Sequence, residues 1–360
     1  MRRARIQNLV QRGFTLVELL LAVGLLSLLI LALMRLLDTA INIWGRSDET
    51  RELSELSSTV LDLLADDLHA VEGGPMGDFL ADWALFDVDR DGIDGAPYQR
   101  LRLVRHVDAS GLQRAARGTE LVPLEAFDRG LVEVTWVLLP GGDAPDERQL
   151  ATLSRGERVV GERDTLSFFD DDFIGRGKRP LPGSLNELTG GVLWFSVWMA
   201  TQTSVVHDGW KLGDELSDCT TSWDAWNKGR PDQQVTFFNA PGKGMPRTKD
   251  APLLPRRVRI ELELERPVDL KKRTRLAAEV TVEGSQLVVR DGRKLPGRDA
   301  LILVDEEWMR VLAVDENRVS VERARRGTRA ALHAAEALVH YGWNSVREVS
   351  IDMTREDWDL

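Results

Sequence analysis

Between Phe14 and Met34 the chain reads FTLVELLLAVGLLSLLILALM, 21 residues with a single ionisable side chain, Glu18. A helix needs about 20 mostly apolar residues to cross the hydrocarbon core of a bilayer. The run therefore predicts a membrane-spanning helix over 14–34. Arg2, Arg3, Arg5 and Arg12 precede it with no acid among them. This positive flank predicts a cytoplasmic N-terminus and places the rest of the chain across the membrane. A cleaved secretory signal is the competing form, with an apolar region of about 7–15 residues and a small-residue cleavage site. Here the run is longer and ends in Arg35-Leu36-Leu37-Asp38.

Length and charge set bounds on the remainder of the chain. The 360 residues are enough for about two domains, and 43% apolar content is enough for a core. A formal net charge of −11, from 58 acidic against 47 basic residues, repels phosphate backbones and argues against nucleic acid as a partner. One cysteine, Cys219, excludes an intramolecular disulfide framework and a zinc site built on several thiolates.

A carboxylate deep in the apolar run costs about 2.5–3.5 kcal/mol on insertion scales. No Lys, Arg or His lies between Phe14 and Met34. Glu18 must then find its cation on another chain, or snorkel to the interface. The surrounding Arg12-Gly13-Phe14-Thr15-Leu16-Val17-Glu18-Leu19-Leu20 resembles the processing signature of type IV pilins and of the pseudopilins of type II secretion. The resemblance implies that a prepilin peptidase cuts between Gly13 and Phe14, that the new Phe14 amine is methylated, and that Glu18 becomes the assembly glutamate at mature position five. Electrostatics agrees with that role. The amine created at Phe14 is a second charge at the membrane edge, and Glu18 of one subunit can neutralise the amine of its neighbour.

Beyond Met34 the pattern turns amphipathic, with Leu53, Leu56, Val60, Leu63, Leu64 and Leu68 on a helical stripe. Gly73-Gly74-Pro75 marks its end. After that come β-type runs at Leu101–Val107, Leu131–Leu139, Thr165–Phe169, Val192–Met199, Val258–Leu264 and Arg275–Val282. Alternation is plainest in Val258-Arg259-Ile260-Glu261-Leu262-Glu263-Leu264. Segments 140–164, 170–191 and 208–252 carry turn residues and charge and read as loops. The expected fold class is α+β, a long N-terminal helix packed on an antiparallel sheet in the pilin manner. From Glu283 to Tyr341 short strands at Leu301–Val304, Met309–Val314 and Arg318–Glu322 predict a small β module, similar to one in phage-tail and surface-associated proteins, with Val346–Met353 returning to the main body. The expected divisions are leader 1–13, span 14–34, amphipathic helix 35–72, β-rich body 73–282, module 283–345 and terminal strand and tail 346–360.

Asp66-Asp67-Leu68, Leu193-Trp194-Phe195, and Trp210, Trp223 and Trp226 ahead of Leu254-Pro255-Arg256-Arg257-Val258 resemble the J-type minor pseudopilins of type II secretion. That resemblance implies a structural subunit near the tip of a short pseudopilus. Its implied partners are other minor and major pseudopilins, the prepilin peptidase, the inner-membrane secretion platform and secreted proteins. It implies a single-pass inner-membrane protein with a periplasmic body. Two alternatives stay open at this point, a minor pilin of a type IV pilus and a signal-anchored periplasmic binding protein. The eleven tryptophans read as core and hairpin packing.

Asp87, Asp89, Asp91 and Asp94 around Gly92 have the D-x-D-x-D-G spacing that opens a calcium loop, although Tyr98 stands where the closing bidentate Glu belongs. Calcium is the one cofactor this pattern suggests. The five histidines show no paired zinc spacing, and no G-x-S-x-G elbow, Walker loop or dinucleotide fingerprint occurs. No catalytic residue is expected.

Overall fold

The computed structural model describes residues 16–85, 97–115, 130–139, 150–161, 167–170, 185–200, 219–226, 252–266 and 273–351. These form a first unit running to Glu52 and a second from Leu53 onward. One helix, α1 (Leu16–His69), supplies all the described structure of the first unit and the opening of the second.

In the second unit α1 buries Val60, Leu61, Leu64, Ala65 and Leu68, each at most 5% exposed. Their spacing of one, three, one and three puts them on one face. Burying each Leu contributes about 1.5–3 kcal/mol. The helix ends at His69, ahead of Gly73-Gly74-Pro75, and a turn closed by Gly77 N–H to Gly74 C=O (2.8 Å) then sends the chain into the sheet. Gly77 is fixed by contact as well as by chain entropy, since a Cβ there would lie 1.9 Å from the Glu72 carbonyl oxygen.

The main sheet has nine described strands: β1 (Phe79–Leu85), β2 (Pro97–His106), β3 (Leu131–Leu139), β4 (Ala151–Val159), β5 (Asn186–Ala200), β6 (Cys219–Thr220), β7 (Trp223–Asp224), β8 (Arg257–Leu264) and β14 (Trp343–Ser350). Their order is β14-β8-β5-β4-β3-β2-β1-β7, with β6 also on β5. Strands β1 to β5 form an antiparallel meander, so α1 is followed by an antiparallel sheet in an α+β layout. The core between helix and sheet includes Phe79, Leu101, Leu103, Val134, Trp136, Leu153, Phe195, Val197, Ile260 and Leu262. A short helix, α2 (Ala109–Ala115), adds Leu112 to it, with Asp108 capping through Gly111 N–H at 2.7 Å.

The segment 219–224 pairs with β5 at one end and with β1 at the other, so the sheet curls back on itself. Gln99 on β2 fills the space inside that curl. Its amide donates to the Val197 and Thr221 carbonyls at 2.7 and 2.6 Å and accepts from the Val197 N–H. A buried carboxamide with its groups so used costs little and fixes the closure.

The chain leaves the main sheet after β8 and builds a second sheet before β14 returns. This sheet holds β9 (Gln286–Val288), β10 (Leu301–Val304), β11 (Glu307–Asp315), β12 (Arg318–Arg325) and β13 (Val339–His340), in the order β13-β10-β11-β12-β9. It has its own core of Leu276, Leu287, Ile302, Met309, Val311, Val319, Val321 and Val339.

Several local expectations are corrected. Segment 140–164, read as loop, contains β4, because Arg155 and Glu157 interrupt the apolar alternation while serving as ionic partners inside the fold. Segments 170–191 and 208–252 contain the start of β5 and the short strands β6 and β7. Ser167–Phe169 is no strand but part of a turn, where the Asp170 carboxylate accepts from Ser167 N–H (2.8 Å) and competes with ladder pairing. Over Arg275–Val282 only isolated bridges form, at Arg275, Leu276 and Val280.

Candidate functional site

The N-terminal part of α1 is built for a solvent other than water. Leu19–Leu37 has a mean hydropathy of 2.6, and none of it is buried within the chain. Leu20 is 63% exposed and Leu36 69%. A contiguous apolar surface of this size on a lone helix needs lipid or other apolar helices around it. Ser27, the one polar side chain from Leu19 to Met34, donates its hydroxyl to the Val23 carbonyl one turn earlier at 2.8 Å. Its polar group is thus satisfied inside the helix, as a hydrocarbon environment requires. Gly24 lies in open space, where an added Cβ would meet nothing within 4 Å.

Of the expected processing and assembly residues, Gly13 and Phe14 lie outside the described residues, and Glu18 is placed only as part of the first turns of α1. The acidic loop with Asp87, Asp89, Asp91 and Asp94 also lies outside them. Among the described residues no group of three or more His, Cys, Asp and Glu side chains is placed to hold a metal ion.

At its other end α1 is held by an ionic anchor. Asp67 is fully buried. It accepts from Arg155 Nε and Nη2, both at 2.8 Å, from the Trp136 indole N–H at 2.7 Å, and from Arg105. Burial pulls the Arg155 pKa down, but hydrogen bonding to Asp67 and the charges of Asp67 and Glu157 outweigh it and raise the value. These contacts join the last turns of the helix to β2, β3 and β4. The sequence offered one sign of this anchor, an acid three residues after Leu64 on the stripe of apolar positions.

A second buried ion group lies at β1 and β2, where Asp82 binds Arg100 and Arg102, the latter at 2.6 Å. Burial alone would raise the Asp82 pKa, yet the two guanidinium groups bring it below the ordinary carboxylate value. Trp223 and Trp226 donate their indole N–H groups to the carbonyls of Leu253 (2.7 Å) and Gly77 (3.0 Å). They pin the segment before β8 and the turn after α1, which is a packing role.

The small sheet is joined to the main one through a tryptophan cluster whose rings meet tilted and edge-on. Ring centroids of Trp83 and Trp194 are 6.0 Å apart, as are those of Trp194 and Trp308. The Arg326 guanidinium sits 4.8 Å from the Trp194 ring centre and 4.1 Å from that of Trp308, and it binds Glu263 at 2.7 Å. A cation between two indoles with its own carboxylate is a strong local joint. Sequence reasoning named Trp194 but not this joint, because Trp308 and Arg326 lie far from Trp194 along the chain.

Residues 9–34 match the family model described as Prokaryotic N-terminal methylation motif. No curated protein matches the chain. The matched span covers the Gly13-Phe14 junction, Glu18 and most of the unburied apolar window. The chain thus carries a type IV pilin-like prepilin signal, set on an apolar helix that leads into an antiparallel β-sheet body.

Proposed function

We propose that this protein is a minor pseudopilin, a structural subunit at or near the tip of a type II secretion pseudopilus that starts assembly and supports protein export. The observation that carries the reading is the coincidence of the methylation motif at residues 9–34 with a helix whose Leu19–Leu37 window is wholly unburied. The motif supports processing by a prepilin peptidase and assembly with other pilin-like chains, and the apolar helix supports a single-pass anchor. In this reading the leader is cut after Gly13 and the Phe14 amine becomes the mature N-terminus. Glu18 of one subunit then pairs with that amine on the next. Two groups that are each costly in hydrocarbon become one neutral pair, which favours ordered stacking of the helices. The body lies in the periplasm, where it meets other minor and major pseudopilins and exported proteins. Its role is structural rather than catalytic.

Mass spectrometry of the chain purified from membranes tests the first step. A methylated Phe14 at the N-terminus is the expected result, and an intact Met1 overturns the reading. Glu18→Ala is expected to leave cleavage unchanged and to lower recovery in the assembled fraction about tenfold. Normal incorporation of that variant rules out the pairing. Mild detergent extraction is expected to bring type II secretion pseudopilins along with the chain, and recovery of pilus subunits instead overturns the assignment to secretion.

A further inference from the structure

Residues 324–333 form a strap that runs from the end of β12, beside Trp308, to a backbone bridge with Val280. Ala324, Arg326 and Gly327 have φ of 55°, 52° and 75°, a left-handed conformation that only glycine adopts freely. Glu307, whose side chain is 1% exposed, holds the strap in that shape. It accepts from Arg323 Nε and Nη2 at 2.6 and 2.5 Å, and from the Ala324 and Ala331 N–H groups at 3.0 and 2.9 Å. Thr328 adds a further tie, its hydroxyl accepting from Trp308 N–H at 3.0 Å. Arg326 projects from this strap to Trp194, Trp308 and Glu263, the joint between the two sheets.

The strap ends on His333, which is fully buried and exchanges both backbone hydrogen bonds with Val280, at 2.9 and 3.0 Å. Its ring nitrogens meet carboxylate oxygens on both sides, Asp305 at Nδ1 (2.6 Å) and Glu307 at Nε2 (2.9 Å). Carboxylates only accept, and a neutral imidazole carries one N–H, so the arrangement is complete only with a proton on each nitrogen. The charged groups facing the ring are these two acids, from the β10–β11 turn and β11, with Arg323 of β12 behind Glu307. Glu279 and Glu283, on the segment of Val280, are exposed and are not ring partners. Loss of one proton turns a lone pair toward a carboxylate at a ring that water does not reach. Asp305, with its side chain 53% exposed, can turn into solvent, whereas Glu307 is fixed by its other donors. The stranded ring nitrogen is then relieved only if the ring moves and takes the strap with it.

We propose that the proton on His333 locks this strap, and that its loss loosens the Arg326 joint and with it the hold of the small sheet on the main one. Release draws Ala331 N–H away from Glu307, lets the left-handed backbone at Ala324 and Arg326 relax, and withdraws the guanidinium from between the indoles. Leu301 and Leu303 of β10 pack with Trp194 and Trp308 at the joint, so the amides of β10 report on it. The device does not depend on leader cleavage or on Glu18, so its failure leaves the proposed assembly role standing.

Hydrogen exchange on the full-length protein in detergent, with each rate divided by the intrinsic rate at that pH, tests the coupling. As pH rises past the ordinary imidazole value, protection at Leu301–Val304 is expected to fall about tenfold while that of Leu131–Leu139 in the main sheet stays constant. Asp305→Asn supplies an amide that can donate to the unprotonated ring nitrogen, and asparagine suits the left-handed backbone at this position (φ 50°). That variant is expected to keep the high protection throughout. His333→Gln is expected to show the low protection at every pH. Arg326→Ala is expected to leave Leu301–Val304 weakly protected and indifferent to pH, while Ala331 still responds. A fall confined to Ala331 and His333 in the unmodified protein overturns the proposal. So does a full pH response at Leu301–Val304 in any of the three variants.

Discussion

Removing the Asp67 carboxylate takes its partner from Arg105 and leaves Arg155 with Glu157, the two arginine side chains being 14% and 12% exposed. Breaking a buried ion pair from one side costs about 3–5 kcal/mol, because the surviving charge stays desolvated. Asp67→Ala is therefore expected to lower stability by about 3 kcal/mol in chemical denaturation, whereas Asp66→Ala, one position away on the exposed side of the helix, is expected to stay within about 0.5 kcal/mol. A small loss for Asp67→Ala would show that the anchor is not a principal support. The acid at this position was visible in the sequence, but its meaning was not. Asp66 and Asp67 read alike until the sheet places three donors around one of them.

His333 carries a second prediction at this scale. Its buried ring meets Asp305 at Nδ1 (2.6 Å) and Glu307 at Nε2 (2.9 Å). Burial pulls its pKa down, but hydrogen bonds to and the charges of both carboxylates outweigh this and raise the folded-state value above 6.5. Glu307 is pushed up by burial, but hydrogen bonds from Arg323, His333 and the Ala331 and Ala324 N–H groups bring it down from 4.5 to about 2. The signs come from linkage. Stability from His333 is fully present below its ordinary value and is lost as pH rises through the raised one. Stability from Glu307 is present above 4.5 and is lost as pH falls toward about 2. Amide exchange at Ala331 and His333 is thus expected to show protection that weakens as pH rises past the ordinary imidazole value and again in acid. In His333→Gln the weakening on the high-pH side should vanish, and its persistence would assign it to another group.

At the scale of elements, the strands with a long apolar run, Leu131–Leu139, or a plain apolar–charged alternation, Val258–Leu264, were the ones the sequence made legible. Leu131–Leu139 is observed with the expected bounds, and Val258–Leu264 differs from the observed Arg257–Leu264 by one residue. Strand β4 was hidden because its inward side includes charges whose partners lie on α1 and on its own strand. The link between the two sheets was hidden for a related reason, since Arg326 reads as one more surface arginine until Trp194, Trp308 and Glu263 enclose it. Arg326→Ala is expected to loosen that link. Hydrogen exchange should rise at Leu301–Val304 and around Trp308 while the Asp67 anchor region keeps its protection. Equal exchange in both regions would mean that the two sheets unfold as one unit and that the joint has no separate role.

For the molecule as a whole, the apolar N-terminal helix fits a single-pass membrane anchor. Deleting residues 14–34 is expected to move the protein from the membrane pellet to the soluble fraction with circular dichroism of the sheet retained. A deleted form that still sediments with membranes would place the anchor elsewhere. Sequence alone determined this much, because a 21-residue apolar run with a lone acid and a basic flank has few physical solutions whatever the rest of the chain does. The same holds for the α+β layout, which arises from local periodicity. What only the tertiary structure decided is how the elements are joined: Asp67 under α1, Gln99 inside the curl of the sheet, Arg326 between two indoles, and β14 returning to an outer edge. Each of these depends on desolvated polar groups finding partners far away in the chain. Hydrophobic spacing is a local property and can be read along the sequence, whereas the pairing of buried charges exists only once the chain has folded.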